Sequence, residues 1–168
     1  MKIAISNSKF IFLSVSLLTL WYVILYMLVR DSFFDNWLSH TLAQTTTFIL
    51  SLLGQNASCV EGTISIQNHP TVCLANYCNG LDFMGVFVCL VVAWSAPWRS
   101  KLFFSFFGIV VIQLLNLFRL TFLALNHRYN PESFDINHRY TFIIIIYGAI
   151  FLMWRNWASK TAKDEVAQ

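Results

Sequence analysis

Long apolar runs broken by short polar stretches set the character of this 168-residue chain. A helix needs about 20 apolar residues to cross the hydrocarbon core, and somewhat fewer where the bilayer thins. Residues 10–29 fit, with Ser and Thr as their polar members. Residues 81–97 predict a second, shorter span that is apolar after Asp82. Residues 102–125 predict a third, which carries Gln113, Asn116 and Arg119 in its second half, and residues 141–157 a fourth. Residues 36–53 are different. His40, Gln44 and three consecutive threonines interrupt their apolar pattern, so they predict an interfacial or re-entrant helix.

The loop over residues 54–79 is the only sizeable stretch without a helical pattern. Glu61 to Asn68 alternates polar and apolar residues and runs into Asn68-His69-Pro70, a turn signal, with Thr71 to Leu74 as a returning strand. A small hairpin is the expected result. The polar residues 159–168 read as a frayed tail behind a single transmembrane domain over residues 1–158.

Composition changes the picture from apolar-rich to membrane-embedded. Hydrophobic residues make up 57% and charged residues 11%, against about 45–50% and 25% in soluble domains. One soluble core of this size could not hide the 16 Phe and 6 Trp. The expected class is therefore an all-α integral membrane protein, with about four spans, an interfacial helix and a small extracytoplasmic loop or hairpin.

Charge then orients the chain. Lys and Arg accumulate in short cytoplasmic loops. With the N-terminus inside and four spans, Lys2, Lys9, Arg99, Lys101, Arg155, Lys160 and Lys163 all fall on the cytoplasmic side. Arg30, Arg119, Arg128 and Arg139 fall on the other side or within the span, together with Asp31, Asp35, Glu61, Asp82, Glu132 and Asp135. Both termini are then cytoplasmic. A net charge of +3 with no basic stripe gives no nucleic-acid signature. Cys59, Cys73, Cys78 and Cys89 lack metal-ligand spacing, so neither metal nor cofactor is expected.

Arg119 stands out, because a central arginine in a span costs about 2.5–3.5 kcal/mol on insertion scales. It either snorkels to the headgroups or serves a site. Asn116, three residues earlier, shares its helical face, and Gln113 continues that face inward. Cys78 lies just before the second span, where a helix N-terminus favours a thiolate, and Gly80 permits an unusual backbone angle beside it. Cys78 is equally readable as half of a disulfide with Cys59 or Cys73, or as an inert thiol. His127 and His138 both fall between the third and fourth spans, His138 at the mouth of the last helix. A thiol, a guanidinium and an imidazole thus sit at the outer ends of three spans. Together they can supply a nucleophile, oxyanion stabilisation and a base without a metal.

The residues Cys78-Asn79-Gly80-Leu81, Asn116-Leu117-Phe118-Arg119 and His138 before the last helix resemble the motifs of the exosortase/archaeosortase family. That family carries Cys-Ser-Gly-Leu, Asn-x-x-Arg in a later helix, and a His before the next helix. The resemblance covers roughly residues 70–157. Asn79 replaces the usual Ser, the acidic residue often found before the Cys is absent, and the chain is short, like the compact stand-alone bacterial forms.

The resemblance implies a membrane-embedded cysteine transpeptidase of the bacterial cytoplasmic (inner) membrane, with its active site on the outer face. It would cleave the C-terminal sorting signal of secreted proteins through a thioester and transfer them to a lipid or glycan acceptor. Cys78 would be the nucleophile, His138 the acid or base with His127 as runner-up, and Arg119 the oxyanion or thiolate stabiliser oriented by Asn116. Asn79 and Gly80 would support the turn. Two other classes remain open on the sequence. One is a quinone-linked thiol–disulfide oxidoreductase using a pair such as Cys73 and Cys78; the other is a non-catalytic membrane assembly factor.

Overall fold

The computed structural model describes residues 7–74 and 78–166. Helix α1 spans Asn7–Ile24 and continues as a π-helical turn, Leu25–Val29. Helix α2 spans Phe33–Leu52, and strands β1 (Ala57–Val60), β2 (Thr63–Ile66) and β3 (His69–Cys73) follow. Helix α3 is Leu81–Ala93 and α4 is Trp98–Tyr129. A 3-10 turn (Pro131–Ser133), the short α5 (Phe134–Ile136) and a second π-helical turn (Asn137–Thr141) lead into α6, Phe142–Val166.

Three helical stretches, Ser8–Val29, Trp98–Tyr129 and Pro131–Ala162, are long and apolar enough to cross a membrane, and Leu81–Ala93 is a shorter apolar helix. The protein is an all-α membrane protein carrying a small sheet. Its 13-residue α3 measures about 20 Å at 1.5 Å per residue, short of a hydrocarbon core of about 30 Å. It tolerates this because α1, α4 and α6 surround it, and no side chain from Leu81 to Val91 is exposed. The expected span over residues 81–97 stops at Ala93 because Trp94 turns extended (ψ 146°) and Pro97 opens α4. Proline suits a helix start, where its missing N–H has no partner to lose.

Helix α4 is longer than expected at both ends. Its 32 residues span about 48 Å, so it outruns the hydrocarbon core by more than three turns. The extension is held at its C-terminal end by Asn126, whose amide donates to the Asn130 carbonyl (3.1 Å) and Ser133 Oγ (2.7 Å). His127 therefore lies in the last turn of α4 and not in a connecting loop. At the other end of the molecule α6 continues to Val166, so most of the expected frayed tail is helical.

Helix α2 starts where Ser32 Oγ accepts the Asp35 N–H (3.3 Å), an N-cap. The hydroxyls of Thr41, Thr45, Thr47 and Ser51 donate to carbonyls four residues back, which hides much of the polarity that marks this segment in the sequence. Phe33, Phe34, Trp37, Phe48 and Leu52 stand exposed on one side; Asp35, Ser39, Leu42, Ala43, Thr46 and Leu50 are buried.

The stretch between α2 and α3 holds three antiparallel strands in the order β1-β2-β3 instead of the expected hairpin. Both connections are two-residue turns with positive φ at each position: Glu61 (49°) and Gly62 (78°), then Gln67 (53°) and Asn68 (62°). This is the primed-turn geometry that matches strand twist. The second turn thus precedes His69-Pro70, which belong to β3. Pro70 is accepted there because β3 is an edge strand with an irregularity opposite Ser65.

Two apolar cores result. The first joins α2 (Leu42, Leu50), the sheet (Ile64, Ile66, Val72), the far end of α4 (Leu120, Leu123) and Phe142. The second, deeper in the bundle, joins Phe83, Phe87 and Val91 of α3 to Ile112, Ile146 and Ile150. At the opposite pole from the sheet, Phe10 meets Trp94 edge-on (5.4 Å) and stacks on Trp154 (5.5 Å), while Phe104 stacks on Trp157 (4.7 Å). Trp94 Nε1 donates to Thr161 Oγ1 and Trp157 Nε1 to Ser100 Oγ. These contacts bring one end of every long span together.

Close packing inside the bundle depends on two glycines. A Cβ at Gly85 would overlap the Trp21 indole, and one at Gly108 would overlap the Phe87 ring, whereas at Gly148 it would meet nothing within 4 Å. Gly108→Leu is therefore expected to destabilise the bundle by about 1–3 kcal/mol or more, and Gly148→Ala to leave it unchanged. Thermal unfolding of the purified protein in detergent checks both.

Candidate active site

The turn Cys78-Asn79-Gly80 opens α3 where the two cores meet. Gly80 adopts φ 85°, ψ 2°, a left-handed conformation that costs glycine nothing. A Cβ there would also lie 3.2 Å from Asn116 Nδ2, so both the backbone conformation and the neighbouring amide disfavour a side chain. Asn79 is fully buried, and its Oδ1 accepts the Leu81 N–H (3.1 Å), satisfying one of the free donors at the start of α3. Its Nδ2 donates to Asp35 Oδ1 and to Ser39 Oγ (3.2 Å) on α2.

From the opposite side, α4 presents Gln113, Asn116 and Arg119 at three-residue spacing. Gln113 Nε2 donates to the Asn79 carbonyl (3.1 Å) and Asn116 Nδ2 to the Cys78 carbonyl (3.0 Å). Asn116 thus holds the backbone of the turn; the expected role of orienting Arg119 is not what its amide does. Arg119 is 5% exposed, and its guanidinium is close enough to the Cys78 thiol for the two to interact electrostatically. It lies about 31 Å along α4 from Trp98, close to a full hydrocarbon thickness. The arginine is therefore placed near a membrane boundary yet is directed into protein, not out to headgroups.

His138 approaches from the third side. Its Nε2 is 4.0 Å from Cys78 Sγ, the outer limit for such a contact, and catalytic hydrogen bonds in enzymes commonly tighten when substrate binds. The Phe134 ring stacks on the imidazole at 5.6 Å with planes 5° apart, which fixes its tilt. Asn137 Nδ2 donates to Asn126 Oδ1 (3.2 Å), tying the residue before His138 to the end of α4. His138 sits in a π-helical turn, a widened helical register often found at functional positions. His127 packs against Phe134 edge-on (4.9 Å), so an aromatic ring separates the two imidazoles.

Of the residues singled out in the sequence, Cys78, Asn79, Gly80, Asn116, Arg119 and His138 come together, and His127 stands behind Phe134. Asp35 and Ser39 were not recognised from the sequence. The Ser32-x-x-Asp35 spacing marks a helix start, but nothing along the chain shows that Asp35 faces Asn79. In the first turn of α3, Asp82 pairs with Arg30 (3.3 Å), which joins the end of α1 to the same helix. Asp35 also contributes to the field at the Arg30 guanidinium.

The other cysteines do not form the pairs that were open on the sequence. Cys59 in β1 and Cys73 in β3 flank the central strand β2, so they lie about 10 Å apart, beyond disulfide reach. Cys59 shares the row of Ile64 and Val72, while Cys73 is one position further along and faces the other way. All four cysteines are free thiols. Cys73 and Cys78, the pair open on the sequence for a thiol–disulfide oxidoreductase, are likewise not bonded to each other. Among the described residues no three His, Cys, Asp or Glu side chains gather as a metal site.

A family model described as transmembrane exosortase (Exosortase_EpsH) matches residues 7–155. Comparison with curated proteins and with solved structures gives no match. The matched region takes in α1 to α4, the sheet, the Cys78 turn and α6 as far as Arg155, and the chain belongs to the transmembrane exosortase family, membrane proteins with a general role in sorting by transpeptidation.

Proposed function

We propose that this protein is a cysteine transpeptidase that cleaves the C-terminal sorting signal of secreted proteins at the outer face of a bacterial cytoplasmic membrane. The observation that carries this reading is the convergence on Cys78 Sγ of Arg119 from α4 and of His138 Nε2, at 4.0 Å, from the turn before α6.

In this reading the Cys78 thiolate attacks the scissile carbonyl carbon, and the carbonyl oxygen becomes an oxyanion. Arg119 stabilises the thiolate first and the oxyanion next. Its Nε is buried and has no hydrogen-bond partner among the described residues, which supports a donor held ready for a developing charge. His138 takes the thiol proton and returns it to the leaving amine as the C–N bond breaks, leaving a thioester on Cys78. The acceptor nucleophile, a lipid or glycan hydroxyl or amine, then gives its proton to His138 and displaces the thiol.

The charges support this orientation. Lys9, Arg99, Lys101, Arg155 and Lys160 lie toward the Trp94–Trp154–Trp157 pole, and an excess of Lys and Arg favours the cytoplasmic side. The Cys78 turn then lies toward the extracytoplasmic side. A hydrophobic substrate tail would occupy the bilayer beside the bundle, with its scissile bond at the level of Cys78.

Cleavage of a sorting-signal substrate in membranes tests these roles. Cys78→Ala is expected to abolish cleavage. Arg119→Lys keeps the charge but loses the fork of donors, and is expected to lose about 10²–10³-fold, the cost of a missing oxyanion donor. His138→Ala should lose about 10²–10⁴-fold, and His127→Ala less than tenfold. A dead His127 variant beside a normal His138 variant would reverse the assignment of the base.

A further inference from the structure

Asp35 is fully buried, in a helix whose opposite side is exposed and aromatic. A carboxylate removed from water is costly unless its oxygens are hydrogen-bonded. Both are: Oδ1 accepts from Asn79 Nδ2, and Oδ2 accepts the backbone N–H of Asp31 (2.9 Å). The nearby Arg30 guanidinium adds a favourable field. Asn79 in turn is fully buried and is joined through one peptide bond to Cys78. Helix α2 is thereby bonded to the residue next to the thiol from one side, while Gln113 and Asn116 hold the two carbonyls of that turn from the other.

We propose that Asp35 is a positioning residue: through the buried Asn79 amide it fixes the Cys78 turn against α4, and so sets the placement of the thiol between Arg119 and His138. The inference rests on the reading of Cys78 as the nucleophile. It also gives a physical role to Asn79 at the place of the usual serine. A Ser hydroxyl is shorter and has a single proton, so it could not donate to both Asp35 and Ser39 while accepting from Leu81.

The donor and acceptor pattern makes the link testable by exchange. In Asp35→Asn alone, an amide oxygen facing Asn79 leaves its NH2 group against the Asp31 N–H, donor against donor. In Asn79→Asp alone, two buried carboxylates face each other. In the double variant Asp35→Asn/Asn79→Asp, the new amide at 35 donates to the new carboxylate at 79. That carboxylate still accepts from Leu81 and now accepts from the Ser39 hydroxyl, while the oxygen at 35 still accepts from Asp31. The network is restored, with the bonds from 79 to 35 and to 39 reversed and the two backbone N–H bonds unchanged.

The experiment uses full-length protein in membranes, in a background of Cys59→Ser, Cys73→Ser and Cys89→Ala, so that Cys78 is the one thiol left. Its alkylation rate by iodoacetamide is followed across pH, beside kcat and KM for cleavage of a sorting-signal substrate. Each single variant is expected to lower kcat at least tenfold with KM within about twofold, and to displace the alkylation–pH profile. The double variant is expected to return both readouts to within about threefold of the parent. Single variants that match the parent, or a double variant no better than the worse single one, would overturn the proposal. A background protein that cleaves no such substrate, but whose alkylation profile shifts with the single variants and recovers in the double, supports the link from Asp35 to Cys78 and counts against the sorting reaction alone.

Discussion

The structure depends on how a few polar groups are satisfied inside an apolar bundle. Within hydrocarbon or close-packed protein, an amide or carboxylate without a partner costs several kcal/mol, so polar side chains brought into the bundle must meet one another. Here they meet at one turn. Asp35 and Ser39 from α2, and Gln113, Asn116 and Arg119 from α4, all converge on Cys78-Asn79-Gly80. The same requirement that stabilises the turn gives Cys78 a fixed place. Gly80 favours this arrangement, because a Cβ would be strained at φ 85° and would crowd the Asn116 amide.

The dimensions of the helices decide the level of that turn. Helix α4, about 48 Å long, crosses the bilayer with its first part and carries the sheet and α2 on its last part through Leu120 and Leu123. Helix α3 is about 20 Å long, and the turn at its N-terminus is bonded to α2 through Asn79. A short helix beside a long one leaves its free N–H groups inside protein, at the point where the Asn79 side chain caps them. His138 completes the arrangement from α4's own continuation, since Asn126 pins the following turns and Asn137 together.

Much of this was legible in the chain. Continuous apolar runs marked the spans, because lipid rewards an apolar residue at every helical position and not only on one face. The polar exceptions on α4 marked the site for the same reason: Gln113, Asn116 and Arg119 are expensive where they stand. Partners that are remote in sequence were not legible. The carboxylate of Asp35 reads as one more outer acid until α2 is folded against the Cys78-Asn79-Gly80 turn, and the hydroxyls of Thr45 and Thr47 read as polar until they bond to their own helix. Strand β1 was missed because Ala57-Ser-Cys-Val is too short and too small-residued to show an apolar alternation. The boundaries of α3 and α4 were misread by a few residues, since apolar composition continues through Trp94 and Ala96 although the backbone turns there.

In the proposed mechanism Cys78 takes the substrate's acyl group as a thioester beside Arg119 and His138. It is tested most directly by incubating membranes containing the protein with a sorting-signal substrate, quenching in acid, and mapping adducts on each cysteine by mass spectrometry. The account predicts a substrate-derived acyl group on Cys78 alone, released by neutral hydroxylamine and absent in Cys78→Ala. Substrate cleavage with an unmodified Cys78, or cleavage that persists in Cys78→Ala, would contradict it.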